Sequence, residues 1–392
     1  MIVMKFGGTS VEDAPALANA CQIIADRLNQ QPLVVVSACA GVTNALLHVA
    51  HLASEGNAEQ SFAEIEKLRL RHYAIADALL NKQLDEIKQH FAQQFDDLAY
   101  LMRSVAVIQE VTPRLLDQCA AYGEEWSARL LTYALHERGI NAQWCNAREV
   151  MVTNDNFTKA EPQFDAIASR AKEKMLPMIK NGVVVTQGFV GATQKGVTTT
   201  LGRGGSDYSA AIFGAVLDAT EIQIWTDVDG ILTTDPNILA DARLLKEVTF
   251  GEAAELAYFG AKVLHPSTIL PAMKKNIPVR VLNSKRPNVE GTLITAQPKL
   301  HTDLLVKSIA YKKNITVITI QSTRMLMAYG FLARVFEVFK QYQKSIDVVA
   351  TSEVGVSLTI DDPSGIERIV RELQEFADVT VEKNKAVMCV VG

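Results

Sequence analysis

The sequence predicts an α/β protein, a parallel sheet covered by helices, with a βαββαβ ferredoxin-like module behind it. Three observations carry this. First, Met1–Phe6 is a short apolar run ending at Gly7-Gly8, a helical stretch follows from about Val11 to Gln30, and Leu33–Ser37 is a second β-branched run. Strand, helix, strand at this spacing is a βαβ unit, whose crossover makes its strands parallel. Second, the pattern recurs at Val183–Thr186, Glu221–Thr226 and Val279–Leu282, each apolar and followed by a loop and a helical stretch. Third, the C-terminal part offers a strand at Ile315–Gln321, a helix at Gly330–Tyr342, and strands at Ile346–Ser352 and Val356–Asp361. A helix at Ile366–Phe376 and strands at Val379–Glu382 and Ala386–Val391 complete the ferredoxin-like order.

Between about Phe62 and Arg138 the apolar period is helical throughout, which predicts a helical insertion that walls a cleft and offers an oligomer face. Asn283–Asp303, with Pro287, Pro298 and scattered charges, reads as a linker. At 392 residues two domains are expected. A net charge of -5 argues against a nucleic-acid surface, so anionic substrates must be held by local cations and backbone N–H groups. The five cysteines form no CxxC pair, which fits reduced thiols and a cytoplasmic protein. No apolar run reaches the ~18 residues that span a bilayer, so no membrane partner is expected.

Four segments carry chemistry. Lys5-Phe6-Gly7-Gly8-Thr9-Ser10 lies where a strand ends and a helix begins. Glycines let the backbone approach an anion, and helix N-termini offer unpaired N–H groups. A Gly-Gly turn is often purely structural, but a lysine on a buried strand is costly unless paired. Leu201-Gly202-Arg203-Gly204-Gly205-Ser206-Asp207 is a second glycine-rich turn into a helix, with a guanidinium suited to a carboxylate. A flexible turn capped by Ser206 is the plainer alternative. Trp225-Thr226-Asp227-Val228-Asp229-Gly230 starts at a strand C-terminus, where open α/β sheets bind ligands, although Asp-Gly alone makes a turn. Gly260–Pro266 is a further small-residue stretch with a lysine; Ser37, Thr43 and Gly123-Glu124 are weaker single features. GxxxxGK[ST] and the HRD and DFG motifs are absent. Two anion cradles with lysines still suit phosphoryl transfer, a reaction of positioning and charge neutralisation.

KFGGTSV at Lys5–Val11, TTTLGRGGSD at Thr198–Asp207, WTDVDGI at Trp225–Ile231 and FGAKVLHP at Phe259–Pro266 resemble the aspartokinases, in the same order and spacing. GFLARVF at Gly330–Phe336 and TSEVGVSLT at Thr351–Thr359 resemble the regulatory part of the lysine-sensitive, monofunctional type. The resemblance implies an α/β/α sandwich kinase domain over residues 1–290 and an ACT regulatory domain over 304–392. It implies transfer of the γ-phosphoryl of ATP, with Mg2+, to the β-carboxylate of L-aspartate, the first step of lysine, threonine and methionine biosynthesis. By motif, Lys5, Arg203 and Asp207 are the catalytic set, Lys5 on the transferring phosphates and Arg203 on the α-carboxylate. Thr43, Glu124, Phe189, Gly204, Gly205 and Ser206 complete the aspartate pocket, with Glu124 suited to the ammonium. Phe6, Gly7, Gly8, Thr226, Asp227, Leu232, Asn237, Lys262 and Val263 line the nucleotide site, and no motif by itself specifies a metal ligand. An effector, lysine ahead of threonine, is expected around Met325, Phe331, Leu332, Asp347, Ser352 and Glu353, in a homodimer.

Two departures stand out. Many family members carry Tyr and Arg where this chain has Leu232 and Asn237, which bears on nucleotide affinity. The family also interleaves two ACT modules. Leu304–Tyr311 reads as the leading strand of the second, and the chain stops at Gly392, where its partner segment is expected, so a piece of a longer protein is predicted. Two alternatives remain at this level: a kinase acting on another small carboxylate such as an N-acylglutamate, which Glu124 disfavours, and a non-catalytic amino-acid sensor.

Overall fold

Alternation along β1 (Ile2–Phe6) decides what each face of the main sheet does. Ile2, Met4 and Phe6 point to one side and Val3 and Lys5 to the other, all buried. A computed structural model describes residues 1–259, 266–298, 306–322 and 329–392. The chain divides into two units, Met1–Tyr258 with the described part of Lys262–Leu304, and the described part of Leu305–Gly392.

In the first unit, β1 leads to α1 (Ala14–Ala25) and β2 (Pro32–Val36). Four helices follow: α2 (Val42–Ser54), α3 (Ala58–Leu79), α4 (Leu84–Ile108) and α5 (Pro113–Glu137). Next come β3 (Ala142–Cys145), β4 (Val152–Thr153), α6 (Phe164–Arg170), α7 (Leu176–Asn181), β5 (Val183–Gln187), β6 (Val190–Thr193) and β7 (Thr198–Thr200). Then α8 (Gly205–Val216), β8 (Glu221–Thr226), β9 (Glu247–Thr249), α9 (Phe250–Tyr258), α10 (Leu270–Lys274), β10 (Val279–Asn283) and β11 (Thr292–Thr295) complete it.

The starts of two of these helices follow from capping. Asp13 accepts from the Ala16 N–H at 2.9 Å and Pro15 sits in the first turn, so α1 begins at Ala14 rather than near Val11. Thr112 caps α5 in the same way, its hydroxyl accepting from the Leu115 N–H at 3.2 Å.

The main sheet runs β3-β5-β2-β1-β8-β10-β11-β9, parallel from β3 to β10 and antiparallel between β10 and β11. From β1 the chain goes first to β2 on one side and later to β8 on the other. The carboxyl end of β1 is thus at a topological switch point, where such sheets bind ligands. Register places Lys5 beside Val35 and Ile224, and Phe6 beside Val36 and Trp225. One face buries Met4, Phe6 and Trp225 with the α1 to α5 layer, and the Phe6 and Trp225 rings stack at 6.0 Å. On the other face α8 crosses so closely that a Cβ on Gly214 would meet Ile222. A small sheet, β4-β6-β7, leads into the second glycine-rich turn.

The second unit contains β12 (Ser308–Gln321), α11 (Phe331–Gln341), β13 (Val349–Thr351), β14 (Gly355–Ile360), α12 (Ile366–Leu373) and β15 (Asp378–Val391). Its antiparallel sheet has the order β13-β14-β12-β15, the ferredoxin-like arrangement. Ile318, Ile320, Leu358 and Ile360 form its core with Val335 and Phe339 of α11 and Ile369 and Leu373 of α12.

Several expectations need correction. The helical layer starts at Val42, since α2 and part of α3 precede Phe62. The stretch taken as a linker contains β11, a full member of the main sheet. The described part of the leading strand expected at Leu304–Tyr311 runs into the strand expected at Ile315, giving one strand from Ser308. Val379–Glu382 and Ala386–Val391 likewise fuse into β15. Asn314 and Asn384 mark the apparent breaks; both sit at positive φ (62° and 58°), and a bulge absorbs them without ending the ladder.

Helix α5 packs closely at Gly123 against the start of α2 and the segment before it, where a Cβ would lie 2.9 Å from both Ala38 Cβ and Val42 Cγ1. Ala is the better helix former by about 1 kcal/mol, but overpacking costs ~1–3 kcal/mol. Gly123→Ala is therefore expected to lower stability in denaturant titration, and a gain in stability would refute this packing.

Candidate active site

Lys5 leaves the carboxyl end of β1 on the α8 face, and its Nζ lies 2.6 Å from Asp207 Oδ1, with the two side chains 11% and 16% exposed. This pair answers the charge that the strand would otherwise bury alone. Gly8 is required just beyond, because a Cβ there would come 2.9 Å from the Ala38 carbonyl. The Gly7 N–H donates to the Trp225 carbonyl at 2.9 Å, and the Ser10 hydroxyl lies 2.7 Å from that of Ser284. The first glycine-rich turn is thereby fastened to the end of β8 and to the segment after β10.

The second turn is shaped by close approach. Gly202 and Gly204 adopt positive φ (77° and 73°), and Gly204 caps α8. A Cβ on Gly205 would lie 2.6 Å from the Phe189 ring, and one on Gly188 would lie 2.6 Å from Ser206 Cβ. Phe189 itself holds φ 59°, uncommon for a bulky residue and typical of strained functional turns; its N–H donates to Ser209 Oγ at 3.0 Å. The first turn of α8, at the positive end of the helix dipole, contributes Gly205, Ser206 and Asp207 to the same cavity as Lys5.

That cavity, about 540 Å³, is lined by Lys5, Arg203 and Asp207 and by Thr43, Glu124, Phe189, Gly204, Gly205 and Ser206. It brings together every residue expected for catalysis and for the aspartate pocket. Asn44, Asp117, Thr158 and Thr200 also line it and were missed. A signal for Asp117 existed: it precedes Glu124 by seven residues, two turns along one face of α5.

The nucleotide-side residues group differently. Thr226 ends β8 and Asp227 follows it, next to Gly7, and neither lines this cavity. The Thr226 carbonyl accepts from the Ser284 N–H at 2.8 Å, and Asn283 donates to Asp229 at 2.7 Å. Leu232 bridges to Leu244, while Asn237 turns onto Asp235, donating from its backbone and side-chain nitrogens at 2.8 and 2.9 Å. The Phe6 ring is fully buried in the core, so only its backbone can face a ligand. Lys262 and Val263 lie outside the described residues.

In the second unit Phe331 begins α11 and packs edge-on to Phe376 at 5.8 Å, with Leu332 beside it in the core margin. Ser352 and Glu353 form the turn from β13 to β14, the Ser352 N–H donating to Gly355 at 2.8 Å. Asp347 lies at the other end of that edge strand, its N–H donating to Thr359. Met325 lies outside the described residues.

Glu124 is the most perturbed group of the cavity. Burial pushes its carboxyl up to about 8, against the opposing pull of the Ala38 N–H, Lys5, the Ser206 hydroxyl and the Gly188 N–H. The folded state thus favours the protonated acid. Its contribution to stability is full below the ordinary carboxylate range and is lost as pH rises to about 8. Thermal melts of wild type and Glu124→Gln should diverge as pH is raised from 5 to 9, the variant gaining on the order of a few kcal/mol relative to wild type. A difference in Tm that does not change with pH would contradict this electrostatics.

Comparison with known proteins shows the family. The profile of the amino acid kinase family matches residues 1–283. The chain is 40% identical over 400 residues to lysine-sensitive aspartokinase 3 of Escherichia coli, covering 100% of this chain and 87% of that one. Among solved structures, E. coli aspartokinase III in complex with aspartate and ADP (R-state) superposes with a TM-score of 0.85 at 39% identity, covering 100% of this chain and 87% of the other. The same enzyme in complex with lysine and aspartate (T-state) gives a TM-score of 0.83 at 39% identity, covering 100% and 86%. The chain belongs to the aspartokinases of the amino acid kinase family.

Proposed function

We propose that this chain transfers the γ-phosphoryl group of ATP to the β-carboxylate of L-aspartate, giving 4-phospho-L-aspartate and ADP. The observation that carries this is the single cavity in which Lys5, Arg203, Asp207 and Glu124 converge. It offers two cations and a helix N-terminus for anions and one acid for an ammonium group, the functional groups of an amino-dicarboxylate and a phosphoryl donor. The E. coli relative holds aspartate and ADP together, as this pairing requires.

In this reading Arg203 takes the α-carboxylate as a fork and Glu124 takes the ammonium, giving up its proton to do so. Thr43, Phe189 and Ser206 close around the substrate, with Gly204 and Gly205 letting it approach the α8 N-terminus. The β-carboxylate is then aimed at the terminal phosphate and attacks without a covalent enzyme intermediate. Lys5 neutralises charge developing on the transferred group, and Asp207 keeps the ammonium group of Lys5 in place until the phosphates arrive. Gly7 and Gly8 let the backbone reach the phosphates, and Thr226, Asp227, Leu232, Asn237, Lys262 and Val263 form the nucleotide side. ATP enters as its magnesium complex, which supplies further charge neutralisation.

The reaction opens the route to lysine, threonine and methionine, and a cytoplasmic setting suits it. Among the described residues no helix is long and apolar enough to cross a membrane. The second unit, as an ACT-type regulatory domain of a homodimer, would bind lysine through Met325, Phe331, Leu332, Asp347, Ser352 and Glu353; the E. coli relative was solved with lysine.

The test is ATP turnover with L-aspartate and magnesium, trapping the acyl phosphate with hydroxylamine. Wild type is expected to yield aspartyl hydroxamate, and Lys5→Ala to lose on the order of 100-fold or more of that rate. A folded, ATP-binding wild type that makes none, or that makes hydroxamate only from N-acetylglutamate, would overturn the assignment.

A further inference from the structure

We propose that Asp117 is a positioning residue for aspartate recognition: from α5 it fastens the strand that carries the Arg203 turn. The inference rests on the reading of Arg203 as the α-carboxylate clamp.

Asp117 is 1% exposed and sits at the cavity wall, yet its acceptor sites are taken up by the protein. Its Oδ1 accepts from the Thr200 hydroxyl at 2.6 Å and its Oδ2 from the Thr200 N–H at 3.1 Å. The Thr158 N–H lies 3.1 and 3.0 Å from the two oxygens. None of these partners is a cation. Burial accordingly pulls its carboxyl above the ordinary range while the three donors pull it back. A buried carboxylate held only by neutral donors is an expensive way to pack a helix, since an apolar residue would serve. Its value must lie in what it holds.

What it holds is the base of the clamp. Thr200 is the last residue of β7, three before Arg203. Thr158 sits at φ 70°, and its carbonyl lies 3.1 Å from where a Cβ on Gly202 would be, so the residue pinned by Asp117 backs directly onto the turn. The other two threonines of β7 are tied as well: Thr199 Oγ1 lies 2.6 Å from that of Thr153, and Thr198 accepts from Arg148 Nε at 3.1 Å. Arg148 in turn donates to Glu125 of α5 at 2.9 Å. Both ends of β7 are therefore referred to α5, the helix that also presents Glu124. The same rigid element then sets the separation between the group that takes the ammonium and the group that takes the α-carboxylate, a spacing that an α-amino acid must match.

Steady-state kinetics of the full chain test this with Asp117→Asn, Thr200→Val, Thr200→Ser and Arg203→Ala. An amide at 117 faces its –NH2 to N–H or O–H donors, and Val at 200 removes the hydroxyl while keeping the strand. Both are expected to raise KM for aspartate about tenfold or more, with KM for ATP within about twofold of wild type. Thr200→Ser, which restores the hydroxyl, is expected to return KM for aspartate close to wild type, and this pair remains informative if Asp117→Asn fails to fold. If Arg203→Ala raises KM for aspartate but Thr200→Val leaves it unchanged, or shifts both KM values equally, the positioning role is wrong. If Arg203→Ala itself leaves KM for aspartate unchanged, the clamp reading falls and this inference with it.

Discussion

A lysine on an interior strand of an eight-stranded sheet can exist only if something meets its charge, and here that is Asp207 at 2.6 Å. Much of the first unit follows from this requirement. Lys5 has odd parity on β1, so its partner must come from the α8 face. Asp207 is in the first turn of α8, so the helix has to begin at the carboxyl end of β1 and approach closely. Gly204, Gly205 and Gly188 permit that approach, because a Cβ at Gly205 or Gly188 would collide with the facing segment. Removing either charge alone would leave the other largely buried and unpaired, which is destabilising.

The pair also explains why the site is ready for phosphoryl chemistry. Lys5 and Asp207 meet at 2.6 Å, and both line the cavity. In the proposed reaction, an arriving phosphate competes with Asp207 for the ammonium group of Lys5. Glu124 sits within reach of the same lysine, yet burial outweighs that attraction and pushes its carboxyl up to about 8. Helix α5 thus carries both this protonated acid and, through Asp117 and Thr200, the tie to the strand before the Arg203 turn.

Much of this was legible in the sequence because the chemistry-bearing segments are contiguous. KFGGTS and LGRGGSD each place a cation, glycines and a helix start within a few residues, and the structure brings Lys5 of the first and Gly202 to Asp207 of the second to one cavity. The aspartate-side residues carried over by resemblance reached the same cavity. What sequence could not show was long-range. Asp117 finds its partners 41 and 83 positions away, and although its spacing from Glu124 puts both on one face of α5, no local feature says which groups it holds. Phe6 looked like part of the cradle, but the parity of β1 turns its ring into the core against Trp225. The extended strands β12 and β15 were each read as two, since Asn314 and Asn384 have the side chain of a turn former. Across the ladder each is only a bulge. Strand β11 was hidden for a similar reason, its four residues flanked by the prolines and glycine of an apparent linker.

The ion pair can be tested without reference to catalysis by a double-mutant cycle in denaturant stability, using Lys5→Met, Asp207→Asn and the combination. If Lys5 and Asp207 compensate each other as described, each single change destabilises and the double variant loses less than their sum, with a coupling of about 1–3 kcal/mol. Additive effects, within about 0.5 kcal/mol, would show two independent surface-like charges and contradict the constraint from which the rest of the site follows.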